Sequence, residues 1–361
     1  MDIELLQKRA AVIKQVRSFF DSRNYLELDT PLLSPDLIPE SCLEVFETSR
    51  IKGNGERQPC WLVPSPEIWM KKIIARHRTN VYQICKCFRN GESSGYLHSP
   101  EFTMLEYYTM NADYKDSLQI TEELIQELGK EGGSLPPSSS PPSAVFHLPP
   151  SAGALDKRCG FAKANPEGDA PATPPPSPRA LFSFTKITVA EAFSRYAGFD
   201  LFETAEKKGG LEAEARRLGL EPPEGLSTGA LYDLIFIHAV EPQLKQNKPV
   251  ALLDYPAFVP CLARKSPDGK TTERWELYHN GVELANCFSE ETDAEQVKRF
   301  FENESAEKER QSLVRHNVDN NYWKNFLSFP RCSGVAMGLD RLIMTLCGRS
   351  TIDSVLPFPM E

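Results

Sequence analysis

The chain has 361 residues, of which 40% are hydrophobic and 25% are charged. It can bury a large core, and no stretch approaches the roughly 20 apolar residues of a membrane span. The formal net charge of −9 argues against a broad basic surface for nucleic acid. Nine irregularly spaced cysteines and an N-terminus without an apolar leader predict a cytoplasmic protein with reduced thiols and no membrane association.

The first predicted elements are a helix and a short strand. Apolar side chains recur at helical spacing over residues 4–23, and the strand in YLELDTPLL is ended by Pro31. A strand at 61–64 then leads into a second helix. In this helix, Ser65 suits the N-cap position and Pro66 suits the first helical position. Glu67 suits the N-terminal end, where the helix dipole is positive.

The sequence pattern of residues 80–110 predicts two strands joined by a polar loop. Because side chains alternate between the two faces of a strand, Glu106 should share one face of the second strand with Phe102, Met104 and Tyr108. A buried carboxylate on an apolar face needs a cation, either a protein lysine or arginine or the ammonium group of a ligand. Arg89 ends the first strand, and a fixed guanidinium there suits phosphate oxygens. Taken alone, either residue could instead belong to a structural ion pair.

Cys85 and Cys87 lie in the first of these strands, with one residue between them. We expect them to point to opposite faces of the strand, which makes a zinc site there unlikely.

A helix is predicted over 113–129, and the composition then changes abruptly. Residues 130–180 are dense in Pro, Ser, Gly and Ala, which predicts a disordered insert, either an idle linker or a ligand for an SH3-like partner. Order resumes with a capping box at Thr188–Glu191. Helices at 211–218 and 228–240 and a strand in KPVALLDYP follow.

Asn280-Gly281 between two alternating runs predicts a β-hairpin. Glu283 and Glu290 on its second strand can face one site only if a bulge lies between them. A charged helix is predicted over 293–311, and a strand over 334–338 leads into a helix with Arg341 in its first turn. A helix start of this kind can bind an anion.

Three segments carry a family resemblance: FRN…HSPEFTMLEYY, ELANCFSEETD and GVAMGLDR. Together they resemble class II aminoacyl-tRNA synthetases of the lysine branch and, more closely, the elongation factor P lysine ligase family. The resemblance implies an α+β fold, with a mixed, mostly antiparallel sheet flanked by helices. It divides the chain into catalytic parts at 1–129 and 181–361 around the insert. There is no room for an anticodon-binding domain, which makes tRNA an unlikely acceptor.

The resemblance also implies roles for individual residues. It makes Arg89, Glu283 and Arg341 catalytic. It assigns ATP binding to Arg89, Asn90, Glu92, His98, Phe102, Glu283, Leu284, Gly338 and Arg341, with Mg²⁺ on Glu283 and Glu290. It assigns amino-acid binding to Ser65, Pro66, Glu67, Glu106, Tyr108, Asn286, Phe288, Glu290 and Ala336. Cys287 stands where both families usually have a glycine, and it is expected to narrow the site or to force a small backbone shift. Ala336 replaces a glycine of the lysyl-tRNA synthetases but matches the elongation factor P ligases, and its methyl group changes the pocket floor in a way that suits β-lysine.

The implied activity is ATP-dependent activation of lysine or (R)-β-lysine as an adenylate, followed by transfer to a lysine side chain of elongation factor P. The first helix and strand resemble the part that builds a homodimer interface in class II synthetases. Two alternatives stay open: a truncated synthetase that acylates tRNA, and a catalytically silent paralogue with a regulatory role. The presence of Arg89, Glu283, Glu290 and Arg341 disfavours the silent paralogue.

Overall fold

The computed structural model describes residues 2–91, 96–131, 183–246 and 248–359. Glu92 and nearly all of the predicted insert at 130–180 lie outside these residues, so their roles stay predictions. Within the described residues, no helix is both long and apolar enough to cross a membrane.

The described strands form one large and one small sheet. They are β1 (Leu26–Glu27), β2 (Leu33–Ser34), β3 (Glu47–Ile51), β4 (Arg57–Leu62), β5 (Val81–Phe88), β6 (Glu101–Met110), β7 (Thr185–Thr188), β8 (Val250–Pro256), β9 (Thr271–His279), β10 (Val282–Ser289) and β11 (Cys332–Gly338). Eight of them form the large sheet in the order β1-β5-β6-β11-β10-β9-β8-β7, and β2-β4-β3 form the small one. Only the β1–β5 and β7–β8 pairs of the large sheet are parallel.

The helices lie around the large sheet. They are α1 (Ile3–Asp21), α2 (Glu67–His77), α3 (Tyr114–Glu131), α4 (Val189–Ala192), α5 (Leu201–Glu206), α6 (Gly210–Arg217), α7 (Thr228–Ile235), α8 (Ala294–Gln311) and α9 (Leu339–Leu346). Wider π-helical turns at Phe193–Ala197 and Phe236–Val240 continue α4 and α7. The predicted α+β class, with a mixed and mostly antiparallel sheet flanked by helices, is confirmed.

Local signals placed several element ends correctly. The predicted capping box is present at the start of α4, and Asp293 caps α8 through its side chain. In the β9–β10 turn, Asn280 has φ +51° and Gly281 has φ +78°, as a type I′ hairpin requires. The predicted cap at Ser65 is wrong, because α2 begins at Glu67 with Pro66 as its N-cap and no side-chain cap bond.

One face of the large sheet packs against helices. The main core joins α1, α3 and α9 to inward-facing strand residues that include Leu105, Tyr107, Trp275, Leu277 and Val335. The alternation predicted for β6 is therefore confirmed, because Glu106 and Tyr108 point to the other face. Two further apolar clusters, one around α4–α7 and one around α2 and α8, border that second face.

Candidate active site

Strand register brings distant residues into rows on the second face of the sheet. Glu106 pairs with Ala336, Ala336 with Asn286, and Asn286 with Glu276. Neighbouring strands lie about 4.8 Å apart, so these four residues form one continuous row. In the adjacent row, Tyr108, Gly334 and Phe288 lie side by side.

A cleft lies over part of this face. Its lining includes nine of the residues predicted to bind ATP or the amino acid: Arg89, His98, Phe102, Glu283, Leu284, Asn286, Ala336, Gly338 and Arg341.

Arg341 is held at the cleft by two backbone carbonyl groups. Its Nε donates to the oxygen of Leu97 at 3.2 Å, and its Nη1 donates to the oxygen of Glu283 at 3.0 Å. Arg89 lines the same cleft, with its guanidinium carbon 5.2 Å from the centre of the Phe102 ring. Two guanidinium groups from opposite ends of the chain thus face one cavity.

Glu283 faces the cleft because of a bulge. The β9–β10 pairing shifts register between Glu283 and Ala285, which confirms the predicted irregularity. Burial and the nearby Glu276 carboxylate raise the pKa of Glu283, against the lowering effect of Arg341, Arg274 and Arg89. Glu276 was not predicted as a site residue; the signal was its place on the same face as Arg274 and Tyr278 in β9.

Beside the cleft lies a group of residues that we call the amine pocket. It contains three carboxylates, an ammonium group, a phenol and a glycine: Glu67, Lys71, Glu106, Tyr108, Glu290 and Gly334. The Tyr108 hydroxyl donates to Glu106 Oε1 at 2.6 Å, while Glu106 Oε2 is buried without a hydrogen-bond partner among the described residues. Burial, and then the Glu67 carboxylate, hold the pKa of Glu106 well above its usual range. Among the described residues, no lysine or arginine forms an ion pair with Glu106, and the alternative partner, a ligand ammonium group, stays a prediction.

Lys71 holds two other carboxylates of the amine pocket. Its Nζ lies 2.5 Å from Glu67 Oε1 and 2.7 Å from Glu290 Oε2. Burial raises the pKa of Glu290 to about 7, although Lys71 lowers it. Lys71 was not predicted; its only signal in the sequence was its spacing of four residues from Glu67.

Gly334 lets two side chains of the amine pocket pack directly against the β11 backbone. A Cβ at this position would lie 2.4 Å from Tyr108 Cε1 and 2.5 Å from Glu290 Oε1. Any side chain there would displace the phenol ring or the carboxylate.

Three predictions differ from the observed positions. Asn90 does not line the cleft; its side chain bonds the Val45 oxygen at 3.4 Å and the Gly91 amide at 2.9 Å. The predicted role of Phe288 in amino-acid binding stays a prediction; its ring lies 5.3 Å from the guanidinium carbon of Arg274. Cys287 does not narrow the site, because its Sγ lies in the core, 3.2 Å from Ser333 Oγ.

The third difference concerns Cys85 and Cys87, whose sulfur atoms are 3.8 Å apart. The prediction of opposite faces was wrong, because residues two apart on a strand share a face. Ser65 and Pro66 lie at the start of α2, directly before Glu67.

Among the described residues, no group of three or more His, Cys, Asp or Glu side chains could hold a metal ion. Of the two predicted Mg²⁺ ligands, Glu283 faces the cleft, whereas Glu290 is bound to Lys71. The Glu276 carboxylate raises the pKa of Glu283, but Glu276 is itself paired with Arg274 and accepts a hydrogen bond from the Tyr278 hydroxyl. Mg²⁺ is commonly held by one or two carboxylates together with substrate phosphates, so Glu283 alone fits this role in the cleft.

The mixed sheet flanked by helices agrees with comparisons to known proteins. A model of class II tRNA synthetases (D, K and N) matches residues 3–361. The chain belongs to this family and, within it, to the elongation factor P lysine ligase branch. The elongation factor P (R)-β-lysine ligase of Avibacterium paragallinarum is 32% identical over 362 residues, which cover 99% of this chain and 96% of that protein. Ligases of the same name from Pasteurella multocida and Vibrio atlanticus are 30% and 31% identical, each over 99% of this chain and 96% of the relative.

Proposed function

We propose that the protein is an ATP-dependent ligase that activates lysine or (R)-β-lysine and transfers it to a lysine side chain of elongation factor P. The observation that carries this proposal is the pairing of two guanidinium groups in the cleft with a buried, carboxylate-rich amine pocket on the same sheet face. The names of the relatives supply the acceptor and the β-lysine.

The cleft suits a nucleotide. Arg89 would bind the α-phosphate, and Arg341 with His98 the γ-phosphate, where fixed positive charge offsets the negative charge of the reacting groups. Phe102 would stack on adenine, with Leu284 and Gly338 along the nucleotide and Glu92 reading the adenine amino group. Glu283 would hold Mg²⁺ together with the phosphates, and the ion would supply further neutralisation of the phosphate chain when bound.

The amine pocket suits the amino acid. Glu106, Tyr108 and Glu290 would bind the side-chain ammonium, and Glu67 the second amino group. Asn286 would contact the carboxylate, Ala336 forms the floor beneath it, and Ser65, Pro66 and Phe288 complete the surroundings.

The reaction has two steps. A carboxylate oxygen of the amino acid attacks the α-phosphorus of ATP, which forms the aminoacyl-adenylate and releases pyrophosphate. The unprotonated amine of the acceptor lysine then attacks the acyl carbon. An amide forms, the acyl–phosphate bond breaks, AMP leaves, and the amine loses its proton to solvent.

Labelled transfer tests the acceptor. The protein is incubated with ATP, Mg²⁺ and labelled β-lysine or lysine, and with either elongation factor P or bulk tRNA. Label on elongation factor P supports the proposal, and label on tRNA alone overturns it. Pyrophosphate exchange with either amino acid separates an active enzyme from a silent paralogue.

We further propose a homodimer, acting in the cytoplasm beside its translation-factor substrate. The exposed Leu26 on edge strand β1 and Leu33 on β2 offer apolar surface for a second copy. A monomeric mass in sedimentation at micromolar concentration would contradict this.

A further inference from the structure

Lys71 is the ammonium group at the centre of the amine pocket. Its side chain is only 2% exposed, and its Nζ joins Glu67, one turn earlier on α2, to Glu290, which follows β10. Burial lowers the pKa of Lys71, but Glu290 and Glu67 outweigh burial and hold it well above its usual range. Lys71 therefore stays charged wherever the protein is folded at neutral pH.

The two oxygens of Glu290 have different surroundings. Oε2 lies against Lys71, whereas Oε1 packs beside Gly334, 2.5 Å from where a Cβ on that residue would lie. Tyr108 packs against the same glycine, and its hydroxyl donates to Glu106 Oε1. Glu106 Oε2 is buried without a hydrogen-bond partner among the described residues and thus remains for a ligand cation.

The charges of the amine pocket do not balance by themselves. Glu67, Glu106 and Glu290 supply three carboxylates, and Lys71 is the ammonium group paired with them. When all four groups are ionised, their net charge is −2. The two ammonium groups of a diamino acid carry a charge of +2 and would neutralise it.

We propose that Lys71 is a positioning residue for this substrate. Its ammonium orients Glu290 and Glu67, and leaves the amine pocket with the negative charge that two substrate ammonium groups neutralise. This inference rests on the proposed function, because the assignment of the pocket to a diamino acid comes from there.

Substrate binding should therefore displace protons. Without a ligand, Glu106 has a pKa well above its usual range and Glu290 a pKa of about 7, so the pocket is partly protonated at pH 7. A bound ammonium favours the ionised carboxylates. The other groups that interact with Lys71 or Glu67 are Tyr108, Tyr322, Cys332 and Glu40. The phenols and the thiol stay protonated. Glu40 is unchanged in every variant compared below, so it does not distinguish one variant from another.

Calorimetric titration of the full chain with L-lysine, in buffers of different ionisation enthalpy, counts the protons released. Lys71→Gln removes the charge, Lys71→Arg keeps it, and Lys72→Gln is the matched control, since Lys72 pairs with Asp319 outside the pocket. We expect Lys71→Gln to bind lysine at least tenfold more weakly and to release about one more proton than wild type. Lys71→Arg and Lys72→Gln should keep the wild-type proton count.

Each outcome of these titrations either supports or overturns the inference. Lys71→Gln with wild-type affinity and proton count overturns the inference while leaving the proposed function intact. If Lys71→Gln does not fold, as its circular dichroism would reveal, the wild type decides: binding without proton release between pH 6 and 8 overturns the inference. A folded wild type that binds neither lysine nor β-lysine overturns the proposed function and this inference together.

Discussion

Arg89 and Arg341 differ in how the chain holds them. Arg341 is tied to the carbonyl oxygens of Leu97 and Glu283, so its direction is set by the backbone. Arg89 lies beside the Phe102 ring at the end of β5. The Arg341 guanidinium is thus fixed before any nucleotide binds, which reduces the reorganisation that the reaction requires.

Arg89→Ala should lower pyrophosphate exchange at least 100-fold, because a fixed cation near the reacting phosphate stabilises the transition state by about 3 kcal/mol. The exposed Arg50 on β3 provides a control, and Arg50→Ala should keep the wild-type rate. Equal rates for both variants would show that Arg89 does not act on the phosphate.

The pH dependence of lysine binding should follow Glu290. Its pKa of about 7 in the free protein means that it gains a proton as pH falls below 7. A protonated carboxyl group binds ammonium poorly, so the KM for lysine should rise by up to tenfold per pH unit below 7. Steady-state kinetics between pH 5.5 and 8 measure this. A Glu290→Gln variant should have a shallower slope, and a KM for wild type that does not vary with pH would contradict the assignment.

At the scale of elements, β11 is the strand that joins the two halves of the site. Its Ala336 lies between Glu106 and Asn286, and its Gly334 borders Tyr108 and Glu290. The strand ends at Gly338, where α9 begins and places Arg341 in the cleft. One short segment therefore serves both the nucleotide and the amine.

Gly334→Ala should abolish lysine binding, because the added methyl would lie within 2.5 Å of both Tyr108 and Glu290. ATP binding should persist, since the cleft lining does not include Gly334. Separate titrations with lysine and ATP measure the two effects.

Gly53→Ala is a suitable control for this variant, because no atom lies within 4 Å of its added methyl. Wild-type lysine affinity in folded Gly334→Ala would place the substrate elsewhere.

At the scale of the whole molecule, the first and last α-helices are joined through a buried ion pair. Arg9 Nη1 lies 2.5 Å from Asp340 Oδ1, and Arg9 Nη2 donates to Thr103 Oγ1 at 2.9 Å. Asp340 Oδ2 also accepts from the Thr103 amide at 2.6 Å. This network links α1, β6 and α9 directly behind the cleft.

Arg9→Ala should lower the free energy of unfolding by about 3 kcal/mol, because it leaves the Asp340 carboxylate buried without its cation. Arg17→Ala on the same helix removes a pair with Glu27 whose side chains are 45% and 38% exposed, and should cost less than about 1 kcal/mol. Urea unfolding compares the two variants. Equal losses would show that burial does not decide the contribution of these pairs.

Much of the fold follows from short-range pattern. The alternation of β6, the Asn280-Gly281 turn and the capping box of α4 are properties of residues close in sequence, and each was predicted correctly. The same local reasoning missed α5, and it placed the cap of α2 one residue too early.

The chain by itself determined the family, the two cleft arginines and the buried carboxylate of Glu106, since motif and period are written in the order of residues. Only the tertiary structure decided that Lys71 pairs with Glu290, that Glu276 lies near Glu283, and that Asn90 does not line the cleft. Such partnerships depend on strand register, a bulge and helix packing, which bring together side chains as far apart in sequence as Lys71 and Glu290. No local pattern specifies those distances.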